Sequence, residues 1–252
     1  MGRRHWVWSV LASLAAASSI SASVPVTPRT DFRHVYALTY DGRISIRNAY
    51  GNVTIAAWDR DAVVVEAIKH SSDPRADDVR IVVDTTSDSL TIRTEYTGSD
   101  AEHPTSVEYL LTVPRRAHLS EVLLTNGQLS LDGLAGPVQA SAVNGDIHAY
   151  KMGGATELST INGRVQADFD RTGPQNAISL SSINGGIDLT IPVGAGADLE
   201  AQNRSGGIVS MIGRVKHIGG NDHLLVKGAG PRIRLRNVNG GIAIRAIEHP
   251  VT

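Results

Sequence analysis

Seven times along this chain a two-residue turn ending in glycine is followed, two residues later, by an aliphatic side chain. The turns are Tyr50-Gly51, Asn126-Gly127, Asn144-Gly145, Asn162-Gly163, Asn184-Gly185, Ser205-Gly206 and Asn239-Gly240. The aliphatics are Val53, Leu129, Ile147, Val165, Ile187, Ile208 and Ile242. A second column holds Ile55, Leu131, Ala149, Ala167, Leu189, Ser210 and Ile244, and a third, ahead of the turn, holds Ile46, Val122, Ala140, Leu158, Leu180, Ala201 and Leu235. Gly127, Gly145 and Gly163 are spaced by 18 residues, and the later gaps are 22, 21 and 34. Spacings of this order are the mark of a repeat architecture. The longest later gap implies an inserted loop, Gly213–His223. The 76 residues from Gly51 to Gly127 imply a different elaboration of the same unit.

Asn and Gly tolerate positive φ, so Asn-Gly between strands signals a turn. Two architectures use it. Each pair could close a type I′ hairpin in an antiparallel meander. Alternatively each unit is one rung of a β-solenoid, with equivalent strands stacked in parallel at ~4.8 Å. The solenoid is preferred, because only stacking gives a reason to repeat the same identities at near-constant spacing. It expects Asn144 and Asn162 to be neighbours in space, with the asparagines bonded up a ladder as in cross-β stacks. The expected fold class is therefore all-β: a parallel β-helix-like solenoid with an N-terminal β section. No amphipathic helix is expected outside the leader.

Composition agrees. Aromatics are 4% of the chain while Gly reaches 25 residues, which suits thin stacked layers. Cysteine is absent, so disulfides, Cys-ligated metals and thiol nucleophiles are excluded. Formal net charge is -1, with no basic excess for pairing with nucleic acid.

The N-terminus reads as a secretory signal peptide, residues 1–23. Arg3 and Arg4 supply the positive start, Trp6 to Ala17 is apolar, and small residues run from Ser18 to Ser23 before Pro25. The apolar run is roughly 12 residues, short of the ~20 that a membrane-spanning helix needs. Residues 24–33 read as a tail, 34–115 as the N-terminal β section and 116–252 as the solenoid repeats. No later segment is apolar enough to cross a membrane as a helix.

The opening Gly42-Arg-Ile-Ser-Ile46 and Gly51-Asn-Val-Thr-Ile-Ala-Ala-Trp58, preceded by Asp41, followed by Asp59 and then by units such as Ile183-Asn-Gly-Gly-Ile187, resembles the bacterial putative-adhesin family over about residues 34–247. That family is a β-strand-repeat domain of unknown function. The resemblance implies a solenoid-like fold and an envelope or surface location. It supplies no catalytic residues.

No catalytic, cofactor or metal site is assigned from sequence. The nearest histidine cluster, His217 with Asp222 and His223, lies in the inserted loop and lacks metal-site spacing. A serine-hydrolase elbow and a dinucleotide fingerprint are both missing. Outward columns place Asp146 beside Arg164, and His148, Gln166 and Asp188 in successive rungs. Such a strip could serve a polysaccharide lyase or glycoside hydrolase if its acids were free and suitably apart. Cross-rung pairing is the plainer reading. Arg232, Arg234 and Arg236 alternate along one face of the last strand and could bind an acidic glycan or anionic lipid, but the plainer reading is a solubilising face that discourages edge pairing. Trp58 reads as a packing residue unless it faces solvent. The expected function is non-enzymatic: an exported adhesin-like scaffold with no cofactor, whose partner is an unspecified protein or glycan at the envelope. A periplasmic regulatory or structural module is the other alternative.

Overall fold

The computed structural model describes residues 32–71, 79–97, 105–218 and 221–248. The expected signal peptide, residues 1–23, and the tail up to residue 31 lie outside them. The described residues form twenty-one strands and no helix. Before the regular repeats come β1 (Phe32–Ala37), β2 (Arg43–Tyr50), β3 (Val53–Trp58), β4 (Ala62–His70), β5 (Val79–Thr85), β6 (Ser89–Tyr96) and β7 (Ser106–Pro114). The repeats give β8 (His118–Asn126), β9 (Leu129–Asp132), β10 (Val138–Asn144), β11 (Ile147–Met152), β12 (Thr156–Asn162), β13 (Val165–Phe169), β14 (Ile178–Asn184) and β15 (Ile187–Pro192). The chain ends with β16 (Asp198–Ser205), β17 (Ile208–Ser210), β18 (Val215–Ile218), β19 (Asn221–Val226), β20 (Arg232–Asn239) and β21 (Ile242–Ile247).

These strands make two mixed sheets, one of 10 strands and one of 11, with one apolar core between them. Each repeat contributes one strand to each sheet, and equivalent strands of successive units pair in parallel. The three aliphatic columns stack in register. Val122, Ala140, Leu158 and Leu180 are successive Cα partners, as are Leu129, Ile147, Val165 and Ile187. Both sheets run across residue 115, because β2 pairs with β8 and β3 with β9.

The hairpin alternative is excluded. Among the described residues Lys151 alone of the non-glycines has positive φ, whereas a type I′ turn needs it at both central positions. The asparagines instead form the expected ladder. Asn144 donates to Asn126 (2.9 Å), Asn162 to Asn144 (2.7 Å), Asn184 to Asn162 (2.8 Å) and Asn239 to Asn184 (2.9 Å).

Conformation is only part of the reason for the glycine column. Gly145 has no positive φ, yet a Cβ there would overlap the carbonyl oxygen of Gly127 in the rung below. The bends stack so closely that no side chain fits between them. Thr160 and Ser182 hydroxyls donate to the Gly145 and Gly163 carbonyls, tying each bend to the next rung (2.9 Å each).

The order of rungs differs from the order in the chain. β20 lies between β14 and β16, and β21 between β15 and β17. The last rung in sequence is therefore the penultimate rung in space. The N-terminal end has a matching inversion, with β2–β3 seated between β6–β7 and β8–β9. Antiparallel strands then close the ends: β1 and β4 beyond β7, β5 beyond β6, and β19 and β18 beyond β16. The inserted loop of the sequence reading is thus the β18–β19 closure. Residues 246–248 terminate an interior rung and cover no end.

Tyr109 on β7 is buried where the first rungs meet, its hydroxyl 2.8 Å from Thr94 Oγ1, which in turn donates to Asn48 Oδ1 at 2.9 Å. Burial pushes the Tyr109 phenol up to about 12, the hydrogen bond to Thr94 opposing and the neighbouring Tyr96 adding to the rise. An unfolded tyrosine ionises near 10, so between about pH 10 and 12 the unfolded state holds fewer protons and stability falls. That loss is expected to reach about 1.4 kcal/mol per pH unit. Urea denaturation at pH 8 and at pH 11.5 checks it: the alkaline loss should be smaller in Tyr109→Phe than in the parent.

Candidate functional site

The outward strip predicted from sequence assembles as a strip. His148, Gln166 and Asp188 are successive partners across β11, β13 and β15. Its acids, however, are engaged. Asp146 accepts the Arg164 backbone N–H at 2.7 Å, and Arg164 donates to Asp188 at 2.8 Å. Arg245 lies 3.8 Å from the same Asp188 carboxylate. His148 stacks on Tyr150 at 6.2 Å between ring centres. These are contacts that align rungs.

The other sequence candidates lie outside this strip. His217 is the backbone partner of Asp222 in the β18–β19 pair. The Asp222 carboxylate accepts the Ile208 N–H at 3.1 Å, so it secures β17. Arg232, Arg234 and Arg236 are exposed as expected, but β20 is an interior strand, so they guard no edge. Across β16 they face Asp198, Glu200 and Gln202.

A concavity lies at the edge opposite the asparagine ladder. There β7, β3, β9, β11 and β13, neighbours in one sheet, reach their C-terminal ends. The bends that follow line a groove of about 790 Å³. Its charged side chains are Arg60, Arg115, Arg116 and Arg171 against Asp59 and Asp61, with Trp58 and Tyr40 as aromatics.

Trp58 ends β3 half-buried, its indole N–H donating to the Ala62 carbonyl at 2.8 Å. Arg115 follows Pro114 at the end of β7 and binds across layers. Nε and Nη2 donate to the two oxygens of Asp59 (2.8 and 3.3 Å), while Nη1 donates to the Gly133 carbonyl (3.0 Å). The Arg115 guanidinium, first by hydrogen bonding and then by charge, holds the Asp59 carboxyl below the usual carboxylate range. Arg60 lies over the Trp58 ring at 5.1 Å and Arg116 over the Tyr40 ring at 5.8 Å. The loop carrying Arg171 is pinned by Asn176, which donates to the Gly153 carbonyl at 2.7 Å.

Of these residues the sequence singled out Trp58, as packing, and Asp59, as part of the family-like opening. Arg60, Arg115, Arg116, Arg171 and Tyr40 were missed because none belongs to a repeated column. Aligning the units on their second bend, at Trp58-Asp59-Arg60, Pro114-Arg115-Arg116 and Asp170-Arg171, would have gathered the four arginines.

No protein-family model matches this sequence, and no curated protein does. Solved structures named as bacterial adhesins are similar to it. A putative cell adhesion protein from Clostridium sporogenes ATCC 15579 is 8% identical with a TM-score of 0.47, covering 86% of this chain and 99% of that one. A putative adhesin from Parabacteroides merdae ATCC 43184 is 11% identical with a TM-score of 0.32, covering 86% and 96%. A putative adhesin from Bacteroides fragilis NCTC 9343 is 11% identical with a TM-score of 0.27, covering 87% and 99%. At these identities and TM-scores they assign this chain neither a family nor a ligand. No helix among the described residues is long and apolar enough to cross a membrane.

Proposed function

We propose that this chain is an exported, non-enzymatic envelope or surface protein whose stacked repeats form a β-solenoid scaffold for binding. The observation that carries the reading is the arginine- and aromatic-lined groove held on one edge of a continuous two-sheet frame. Parallel, in-register stacking of the repeat columns supports the solenoid description. Export rests on the positive, apolar, small-residue order of residues 1–23.

The disposition of acids supports binding without chemistry. A glycosidase needs one carboxyl kept protonated as general acid and a second at a set distance. In the groove Asp59 is held ionised by Arg115. On the outer strip Asp146 and Asp188 are committed to Arg164. Protein beginning at residue 24, incubated with a broad polysaccharide panel, is expected to release no product. Turnover that disappears in Asp59→Ala, Asp146→Ala or Asp188→Ala would overturn the non-enzymatic reading.

A further inference from the structure

We infer that the groove at the ends of β7, β3, β9, β11 and β13 is a binding site for an anionic oligosaccharide, which it grips by its carboxylate or sulfate groups. The inference rests on the scaffold reading and gives it a ligand class.

Charge is the first reason. Four arginines face two aspartates, a local excess of two positive charges in a chain whose formal total is -1. Asp59 and Arg115 satisfy each other through two hydrogen bonds. Arg60, Arg116 and Arg171 remain, against Asp61 in the groove and Asp170, which lines the adjoining hollow with Arg171. The second reason is geometry. Arg60 lies over the Trp58 ring, and Arg116 lies over the Tyr40 ring with one N–H donated to the Tyr40 hydroxyl at 3.4 Å, contacts that restrain both guanidinium groups. A planar fork held this way suits bidentate capture of a carboxylate or sulfate, and its ordering cost is met before the ligand arrives.

Size and lining give the third reason. A groove of about 790 Å³ is far larger than a single inorganic anion and falls within the range of organic ligand sites. Small residues Ala135, Gly153 and Gly173 lie among the arginines and leave room for sugar rings between them. The groove is open along the sheet edge, so a chain of sugars could lie across several bends.

The protein carries its own reporter. Of its three tryptophans, Trp6 and Trp8 lie in the leader, so protein beginning at residue 24 has Trp58 alone. Titration with oligogalacturonate is expected to change Trp58 fluorescence and to give a calorimetric isotherm that weakens with added salt. Arg171→Glu, in an exposed loop, should weaken binding about tenfold, the loss of one charge-assisted contact. Arg232→Glu, on the outer face of the other sheet, should leave it unchanged. A sulfated oligosaccharide, a neutral oligosaccharide of equal length, monomeric galacturonate and inorganic sulfate are run in parallel. Binding of either charged oligomer in preference to the last three supports the inference, and the two charged arms tell carboxylate from sulfate recognition.

Equal binding of the neutral oligomer, equal binding of sulfate ion, no binding of either charged oligomer, or indifference to Arg171→Glu overturns it. The scaffold reading would survive any of those results. Product release in the polysaccharide assay would overturn the non-enzymatic reading and leave the ligand class standing.

Discussion

Gly145→Ala is expected to destabilise the protein by about 3 kcal/mol or more, an unusually large effect for adding one methyl group. The added Cβ would overlap the Gly127 carbonyl oxygen, a backbone atom held in the rung below. Its neighbours cannot rotate away, because Gly127 N–H is bonded to the Asn144 carbonyl and Gly145 N–H to the Asn162 carbonyl. Relief would require parting two stacked bends, which strains the asparagine ladder on one side and the Leu129–Ile147 column on the other. Gly207→Ala is the matched control. That glycine has no positive φ and nothing within 4 Å of the added carbon. Its substitution should shift stability by no more than about 0.5 kcal/mol. Urea midpoints followed by circular dichroism measure both. Equal midpoints for the two variants would refute close stacking as the origin of the glycine column.

Removing residues 231–252 is expected to cost more than an end rung. In an array whose spatial order followed the chain, the last unit could be trimmed and leave its neighbours paired. Here β20 and β21 separate β14–β15 from β16–β17, so their loss opens a gap inside both sheets. Leu235 and Ile242 leave the core, and β16 loses a parallel partner along its whole length. Native-state hydrogen exchange on the truncated protein should show β16, β17 and β19 unprotected, although none of their residues is deleted, while β8 to β13 stay protected. Protection of β16 at its native level would mean that it had re-paired directly with β14.

That inversion also marks where sequence reasoning stops. The asparagine ladder was legible because each asparagine must meet its own kind, so the requirement is written as a repeated identity. The spatial order was not. β14, β16 and β20 carry the same column pattern, with Leu180, Ala201 and Leu235 at the same phase, so each could sit beside either of the others. What decides is the length and path of the connections, which leave no periodic trace. The groove was illegible for the opposite reason. Arg60, Arg115 and Arg171 share no column and are gathered from bends far apart in the chain, so only the stacking brings them to one edge. Trp58 illustrates the limit within one residue. Its indole N–H is used structurally, as the packing reading expects, while its ring supports Arg60 at the groove.

The two inversions also constrain how a gene of this kind can change length. At each end a later or earlier stretch of chain is folded inside its neighbour, so a repeat added after β21 would start from an interior rung already paired on both sides. The run from β8 to β15 has no such closure, because there spatial order and chain order agree. An in-frame duplication of one 18-residue unit, such as residues 128–145, would enter that run without disturbing either closure. Each such event would lengthen the frame by one strand spacing, ~4.8 Å, and add one bend to the edge that carries the groove. Growth from the middle makes reach a property that duplication can tune in steps, with both ends inherited intact.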